Sequence, residues 1–401
     1  MRALVLERRP TRFVAARLLA RPSSLRHAVE AGPLVLRDVD EPELPGEAWV
    51  RVEPRLAGIC GSDLATVFFE TSRYFEDLVS LPFTPGHEVV LSVPGREGRF
   101  VLEPALTCEV RGVPLCAACA RGDTQRCAAV MVGDLEPGIQ TGYCSSTGGG
   151  WASAMVAHER QLHEVPPTLS DEDAVMVEPL ACGVHTVLRA KRREGHLAIL
   201  GAGTVGLIAT AVAARLGSFA SITVVARYPL QRELARALGA TVVVGESELP
   251  ERARRLRGSL RAGRFLGDGF DVVIDAVGSA SSVRQAVEAV RPGGEVVLAG
   301  MPGPNRLDLA ALWHREVRLV GAYAYGTEHL DEATAQALGR EPGAVRTFAL
   351  ALALAGELNL GRLVTHRYGL RDYVSALVRA REGGRADAIK VVFDLRQRKA
   401  R

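Results

Sequence analysis

The chain has 401 residues, 47% of them hydrophobic and 24% charged, with a formal net charge of +3. This composition excludes a disordered chain, and the length exceeds what one comfortable core fills, so two domains are expected. So small a charge, with no concentrated basic stripe, excludes a dedicated nucleic-acid binder.

The first ten residues, MRALVLERRP, hold no apolar signal core, and the protein reads as cytoplasmic. The Arg-rich stretch TRFVAARLLARPSSLRHAVEAG follows strand-like ALVLE and reads as an internal loop or helix. From about residue 33 to 165, short strands such as EAWVRVEP and RFVLEP are cut by Gly and Pro, the pattern of an irregular β barrel or sandwich. Near residue 170 the character changes. Strand-like LAIL, SITVVA, TVVVG, FDVVIDAVG and GEVVLAG alternate with helical LIATAVAARLG, QRELARALG and SSVRQAVEAVR. Such alternation means a parallel sheet with helical crossovers. After about residue 324 come helical FALALALAGEL and YVSALVRARE and a closing strand, AIKVVFDL. The expected division is residues 1–188, 189–323 and a return to the first domain over 324–401. The basic residues are nearly all Arg, with Lys191, Lys390 and Lys399 the exceptions, a bias read as codon usage or thermal habitat.

The longest apolar run, from His196 to Gly217, has membrane-like length, but its glycines explain it better, and no membrane association is expected. Gly201, Gly203 and Gly206 form G-x-G-x-x-G in GAGTVG, with Thr204 and Val205 between the last two. A strand precedes this segment and a helix follows. Glycines there permit a tight turn and let backbone amides approach a pyrophosphate at a helix N-terminus, so a Rossmann dinucleotide site is expected. DAVG, with Val277 and Gly278, and LAGMPG, with Gly300 and Met301, end later strands and should border the nucleotide crevice.

Four of the seven cysteines, Cys108, Cys116, Cys119 and Cys127, fall within twenty residues. Four thiolates close a tetrahedral zinc site with no open position, which makes it structural. Buried free cysteines or an RNA-binding zinc knuckle are the other readings, but the segment lacks a dense basic and aromatic surround. A second set is spread out: Cys60 in GICGSD, then His87 and Glu88 in PGHEVV. A thiolate, an imidazole and a carboxylate with a free fourth place make a catalytic zinc arrangement, with Ser62 two residues on to pass a proton outward. By spacing alone the signal is thin, because a lone Cys or His is more often structural.

GICGSD, PGHEVV, the P-x-x-x-C start at Pro104 to Cys108, VEPLACGVH, GAGTVG and RPGGEVVLAG occur in that order. This set, spread over about residues 33 to 395, resembles the zinc-dependent medium-chain dehydrogenase/reductase superfamily, especially its polyol, threonine and sugar dehydrogenase branches. The resemblance implies an α/β protein with a GroES-like β-barrel catalytic domain and a doubly wound Rossmann domain. It implies Cys60 and His87 as catalytic zinc ligands, Glu88 as a ligand or close neighbour of the metal, and Glu178 completing the zinc shell directly or through water. Ser62 matches the proton-relay hydroxyl. The implied reaction moves a hydride between a nicotinamide cofactor and a small alcohol or carbonyl substrate, in a homodimer or homotetramer. A zinc-free quinone or enoyl reductase, and a non-catalytic nucleotide-binding sensor, are the rivals.

Two departures stand out. Cys108 and Cys116 are eight apart where the family spaces them by three, so EVRGVPL carries five extra residues. A tetrahedral site tolerates the longer loop. At the ribose position, about 20 residues beyond the glycines, Ala226 stands where NAD enzymes place an acid, followed by Arg227 and, one helical turn on, Arg232. NADP(H) is therefore expected over NAD(H). Cys144, Cys182 and His185 are read as packing residues.

Overall fold

The computed structural model describes residues 1–396 except 264 and 305. They form two compact units, Met1–Glu178 with Ala351–Arg401, and Pro179–Leu350. These divisions fall before 188/189 and after 323/324. Residues 324–350 pack with the second unit through a hairpin of Thr327–Leu330 and Gly343–Arg346. Its Glu328 accepts from Thr347 (2.9 Å) and pairs with His185 (2.7 Å), which accounts for the later return.

The second unit is built on parallel strands. In spatial order they are Val242–Val244, Phe219–Val225, Gly195–Leu200, Phe270–Asp275, Val290–Leu298 and Arg318–Gly321. Numbered along the unit this is 3-2-1-4-5-6, the dinucleotide-binding order, whose direction reverses between the first and fourth strands. Leu197 to Leu200 and Val272 to Asp275 are buried throughout, as expected of strands covered on both faces. The crossover helix Thr204–Leu216 ends at Gly217, whose positive φ of 64° closes the helix in the left-handed conformation.

The first unit carries the irregular β structure. Its sheet runs Val364–Tyr368, Lys390–Asp394, Trp49–Gly58, Val89–Ser92, Phe100–Leu102 and Leu162–Glu164, with Met155–His158 also on the long central strand. That strand serves partners in turn: Trp49–Val52 pair with Met155–His158, Glu53–Ala57 with Val89–Ser92, and Leu56–Gly58 with Val392–Asp394. Trp151, fully buried, packs edge-on to Phe393 at 5.2 Å and donates its indole N–H to the Gly58 carbonyl (3.0 Å). The Arg-rich N-terminal stretch forms two helices, Pro10–Leu19 and Leu25–Glu30. They pack by Phe13 against Phe69 at 5.3 Å, and by Arg26 on Ser375 of the helix Tyr373–Glu382 (3.1 Å). Among the described residues no helix is long and apolar enough to cross a membrane.

Candidate active site

The central strand of the first unit ends at Gly58, where a Cβ would overlap the Glu88 carboxylate, so only glycine fits. The chain then turns through Cys60 into the helix Gly61–Val67, and the Cys60 amide donates to Asp63 Oδ2 (2.9 Å), the acid in its first turn. His87 and Glu88 stand just before Val89, which is the register partner of Ala57. The β ladder thereby brings two distant motifs side by side: ligand atoms of Cys60, His87 and Glu88 all lie within 4.8 Å of one another.

The surroundings of this group are charged and largely buried. Lys390 Nζ donates to both oxygens of Glu88, at 2.7 and 2.6 Å, and both side chains are only 2% exposed. Burial would discharge Lys390, but Glu88 and Cys60 outweigh it and raise its pKa, with Glu178 adding in the same direction. Glu178 is buried at the start of the helix Val177–Leu188 and lies within electrostatic reach of Lys390, outside the group of three. His87 Nδ1 is 3.5 Å from Asp63 Oδ1, long for a hydrogen bond, and has no hydrogen-bond partner among the described residues. Burial opposes a charge on His87, but Asp63 and then Cys60 overcome it and raise its pKa well above 6.5. Tyr143 donates its hydroxyl to Asp63 Oδ1 (3.3 Å). Burial and the Asp63 charge push the Tyr143 pKa well above 10, against weaker pulls from the hydroxyls of Ser62 and Thr66. Ser62 thus sits beside a phenol that keeps its proton.

These groups suit zinc. A buried imidazole with an orphaned nitrogen, a half-buried thiol and adjacent carboxylates form a borderline-soft donor set. The four clustered cysteines suit it too, with sulfurs within 4.8 Å of one another. The amides of Ala128 and Cys119 both donate to Cys116 Sγ at 3.5 Å and push its thiol down to about 6. Burial pushes Cys119 and Cys127 up. Cys144 lies apart, in an apolar cluster with Trp49, Leu106 and Leu135.

In the second unit the glycine turn follows the strand Gly195–Leu200. Gly201 has φ +94°, and a Cβ on it would press on Val277. A Cβ on Gly206 would overlap the Gly201 carbonyl, whereas Gly203 faces open space and leaves the first helical amides uncovered. Thr204 and Val205 form the first turn of that helix. Asp275 ends the neighbouring strand and accepts from the amides of Val277 (2.9 Å) and Gly278 (3.1 Å) and from Ser282 Oγ (2.9 Å). It fixes a loop whose Gly278 backbone abuts Gly300, leaving Val277 and Met301 partly exposed above the sheet. At the end of the second strand Ala226 is buried, while Arg227 is exposed and donates to Glu246 Oε2 (3.1 Å). Arg232 turns back to donate to the Ala226 carbonyl (3.0 Å).

Residues 46–167 match the family model described as an alcohol dehydrogenase GroES-like domain, and residues 204–339 the model of a zinc-binding dehydrogenase. D-xylulose reductase A of Aspergillus oryzae is 30% identical over 71% of this chain and 78% of its own length. The chain belongs to the zinc-type medium-chain alcohol dehydrogenases. Sorbitol dehydrogenase of Bacillus subtilis is 26% identical, over 82% of this chain and 86% of its own. An alcohol dehydrogenase from a Thermus species superposes with a TM-score of 0.71 at 24% identity, covering 99% of this chain and all of that one. This dehydrogenase is therefore an NAD(P)-dependent alcohol oxidoreductase of the zinc-dependent kind, acting on small molecules.

Sequence reasoning missed Asp63, Tyr143, Lys390, Asp275 and Glu246. Two of them carried signals. Asp63 stands three residues after Cys60, at the capping-box position of the helix. Lys390 is one of three lysines and interrupts an apolar strand, so the Arg bias concealed a residue tied to the site.

Proposed function

We propose that this dehydrogenase interconverts a secondary alcohol, as in a polyol or sugar, and its carbonyl, using NADP(H) and two zinc ions, one catalytic and one structural. The observation that carries the cofactor choice is the buried Ala226 followed by an exposed Arg227, where an NAD enzyme presents a carboxylate. The polyol class is supported by the sorbitol and xylulose enzymes to which the chain is similar.

In this reading Cys60 and His87 hold the catalytic zinc with Glu178, and Glu88 acts beside the metal, because Lys390 occupies both of its oxygens. When bound, such a zinc supplies a Lewis acid that makes a substrate hydroxyl easier to deprotonate. Asp63 orients His87, Tyr143 holds Asp63 in place, and the Ser62 hydroxyl accepts and passes on the substrate proton. The amides at the start of the helix after Gly203 receive the cofactor pyrophosphate. Val277, Gly278, Gly300 and Met301 line its course across the strand ends.

The cofactor reading is tested by kcat/KM for NADP and NAD. The wild type should prefer NADP, and Ala226→Asp/Arg227→Ala should move the ratio toward NAD. Loss of a charge-assisted grip on the 2′-phosphate is worth about 1.5–3 kcal/mol, or roughly tenfold to a hundredfold in NADP affinity. A wild-type preference for NAD, or an unmoved ratio, ends this reading. Elemental analysis should separately give about two zinc equivalents per chain. Cys119→Ser should lose one and destabilise the fold, since metal binding there is coupled to folding. A single equivalent that survives Cys60→Ala would leave only the four-cysteine site.

A further inference from the structure

Arg111 lies in the extended loop between the first two clustered cysteines and is fully buried. Its guanidinium donates five hydrogen bonds, all to backbone carbonyls: Leu106 (3.2 Å), Val132 (3.1 Å), Leu135 (3.1 Å), Glu136 (3.2 Å) and Gly138 (2.6 Å). Among the described residues no carboxylate pairs with it. Buried charges are retained when they are paired or coordinate a metal, and carbonyl dipoles alone leave this one without a counter-ion. Arg315, in the second unit, makes the contrast. It is also buried on carbonyls, of Val287, Glu288 and Val290, but the negative groups acting on it are the carboxylates of Asp268 and Glu288. Around Arg111 burial pulls the pKa down, and the groups that oppose it are the sulfurs of Cys144, which is outside the cluster, and then of Cys127 and Cys108, which belong to it.

The loop is built to hold Arg111 there. Its amide donates to the Thr107 carbonyl (3.0 Å), and its carbonyl accepts from Asp134 (3.1 Å), while the Val113 amide returns to Cys108 (3.0 Å). Gly133, at φ +92°, passes so close that a Cβ would overlap the Arg111 carbonyl.

Four thiolates around a divalent ion leave a net double negative charge. We infer that Arg111 is the counter-charge of the four-cysteine metal lobe, offsetting that excess while its hydrogen bonds tie residues 106–138 around it. The family's shorter spacing has no room for this residue within the loop, so the extension is what supplies it. The inference rests on the structural-zinc reading above. Arg111 lies three residues after Cys108, in the loop that runs on to Cys116, and it acts through the charge it places there.

The test follows zinc release to a chromogenic chelator from the full chain in a Cys60→Ala background, so that released metal comes from the four-cysteine site. Arg111→Gln should release zinc about 10- to 100-fold faster, the usual cost of losing a supporting partner of a metal site. Arg111→Lys keeps the charge with fewer donors and should release it clearly more slowly than Arg111→Gln. Folded Arg315→Gln should leave the rate unchanged. Equal rates for Arg111→Gln and its parent, or for the Gln and Lys variants, overturn the inference while the zinc reading stands. A Cys60→Ala parent without zinc overturns the zinc reading instead. If Arg111→Gln does not fold, Arg111→Lys decides: release within about tenfold of the parent supports the inference, and faster release overturns it.

Discussion

Replacing Cys60 by Ala should lower kcat about a thousandfold or more while the protein keeps its fold. Loss of a Lewis acid removes several kcal/mol of charge stabilisation, and each 1.36 kcal/mol is tenfold in rate. The fold should survive because the Cys60 backbone makes the local contact that matters: its amide donates to Asp63, and alanine retains that amide. Cys60 is also only half-buried, so truncation opens no large cavity. Melting should shift by no more than about 2 °C, since about 1 kcal/mol moves the midpoint by only about 1–2 °C in a chain of this size. Turnover, circular dichroism and zinc content measured on one preparation check this. A variant that retained most of its kcat would remove Cys60 from the machinery, and one that melted far earlier would make it structural.

The second large effect falls on Lys390. Replacement by Met keeps the bulk of the side chain but leaves Glu88 charged, 2% exposed and stripped of both its short contacts. Removing one partner of a buried ion pair costs about 3–5 kcal/mol, much of it the uncompensated charge that remains. Lys390→Met should therefore unfold at markedly lower denaturant concentration than wild type. Lys390→Met combined with Glu88→Gln should recover a large part of the loss, because the neutral amide no longer needs a counter-charge. Denaturation of the three proteins with zinc present distinguishes the outcomes. A single variant within about 0.5 kcal/mol of wild type, the range of an ordinary surface change, would show that Glu88 finds another partner or carries a proton.

What was legible in the sequence was what is local in the chain. The glycine turn, the cysteine cluster and the strands flanking them are each written within about twenty residues. Their chemistry follows from residue type and spacing, and the order of motifs named the family before any contact was visible. What was not legible depends on pairing across long separations. Glu88 and Lys390 are 302 positions apart, and only the register of Val392 on Gly58 brings them together. Asp275 is hidden for another reason: its role is to accept three hydrogen bonds from the loop and helix that follow it, and an acid at a strand end shows no such intent in sequence. The hairpin over Thr327–Arg346 has no compositional mark, so the sequence does not show that it packs with the second unit. It is tied there by contacts far apart in sequence, such as Glu328 with His185 and Arg193 with Asp331. At the ribose position the missing acid was readable, but Glu246, which holds Arg227, comes from the neighbouring strand end.

The split of the first unit into two stretches of chain bears on how the protein is made. Domains generally form in the order in which they leave the ribosome, N-terminal first. Here Pro179–Leu350 is continuous and has all its strands once synthesis passes its end. The unit that begins the chain must wait for Lys390–Asp394, which inserts between Val364–Tyr368 and Trp49–Gly58. Until those last residues emerge, the long strand has an open edge and Glu88 has no cation beside it. The first unit is thus completed after the second, and the nascent protein must keep its unfinished sheet from pairing with neighbours until Lys390–Asp394 are made.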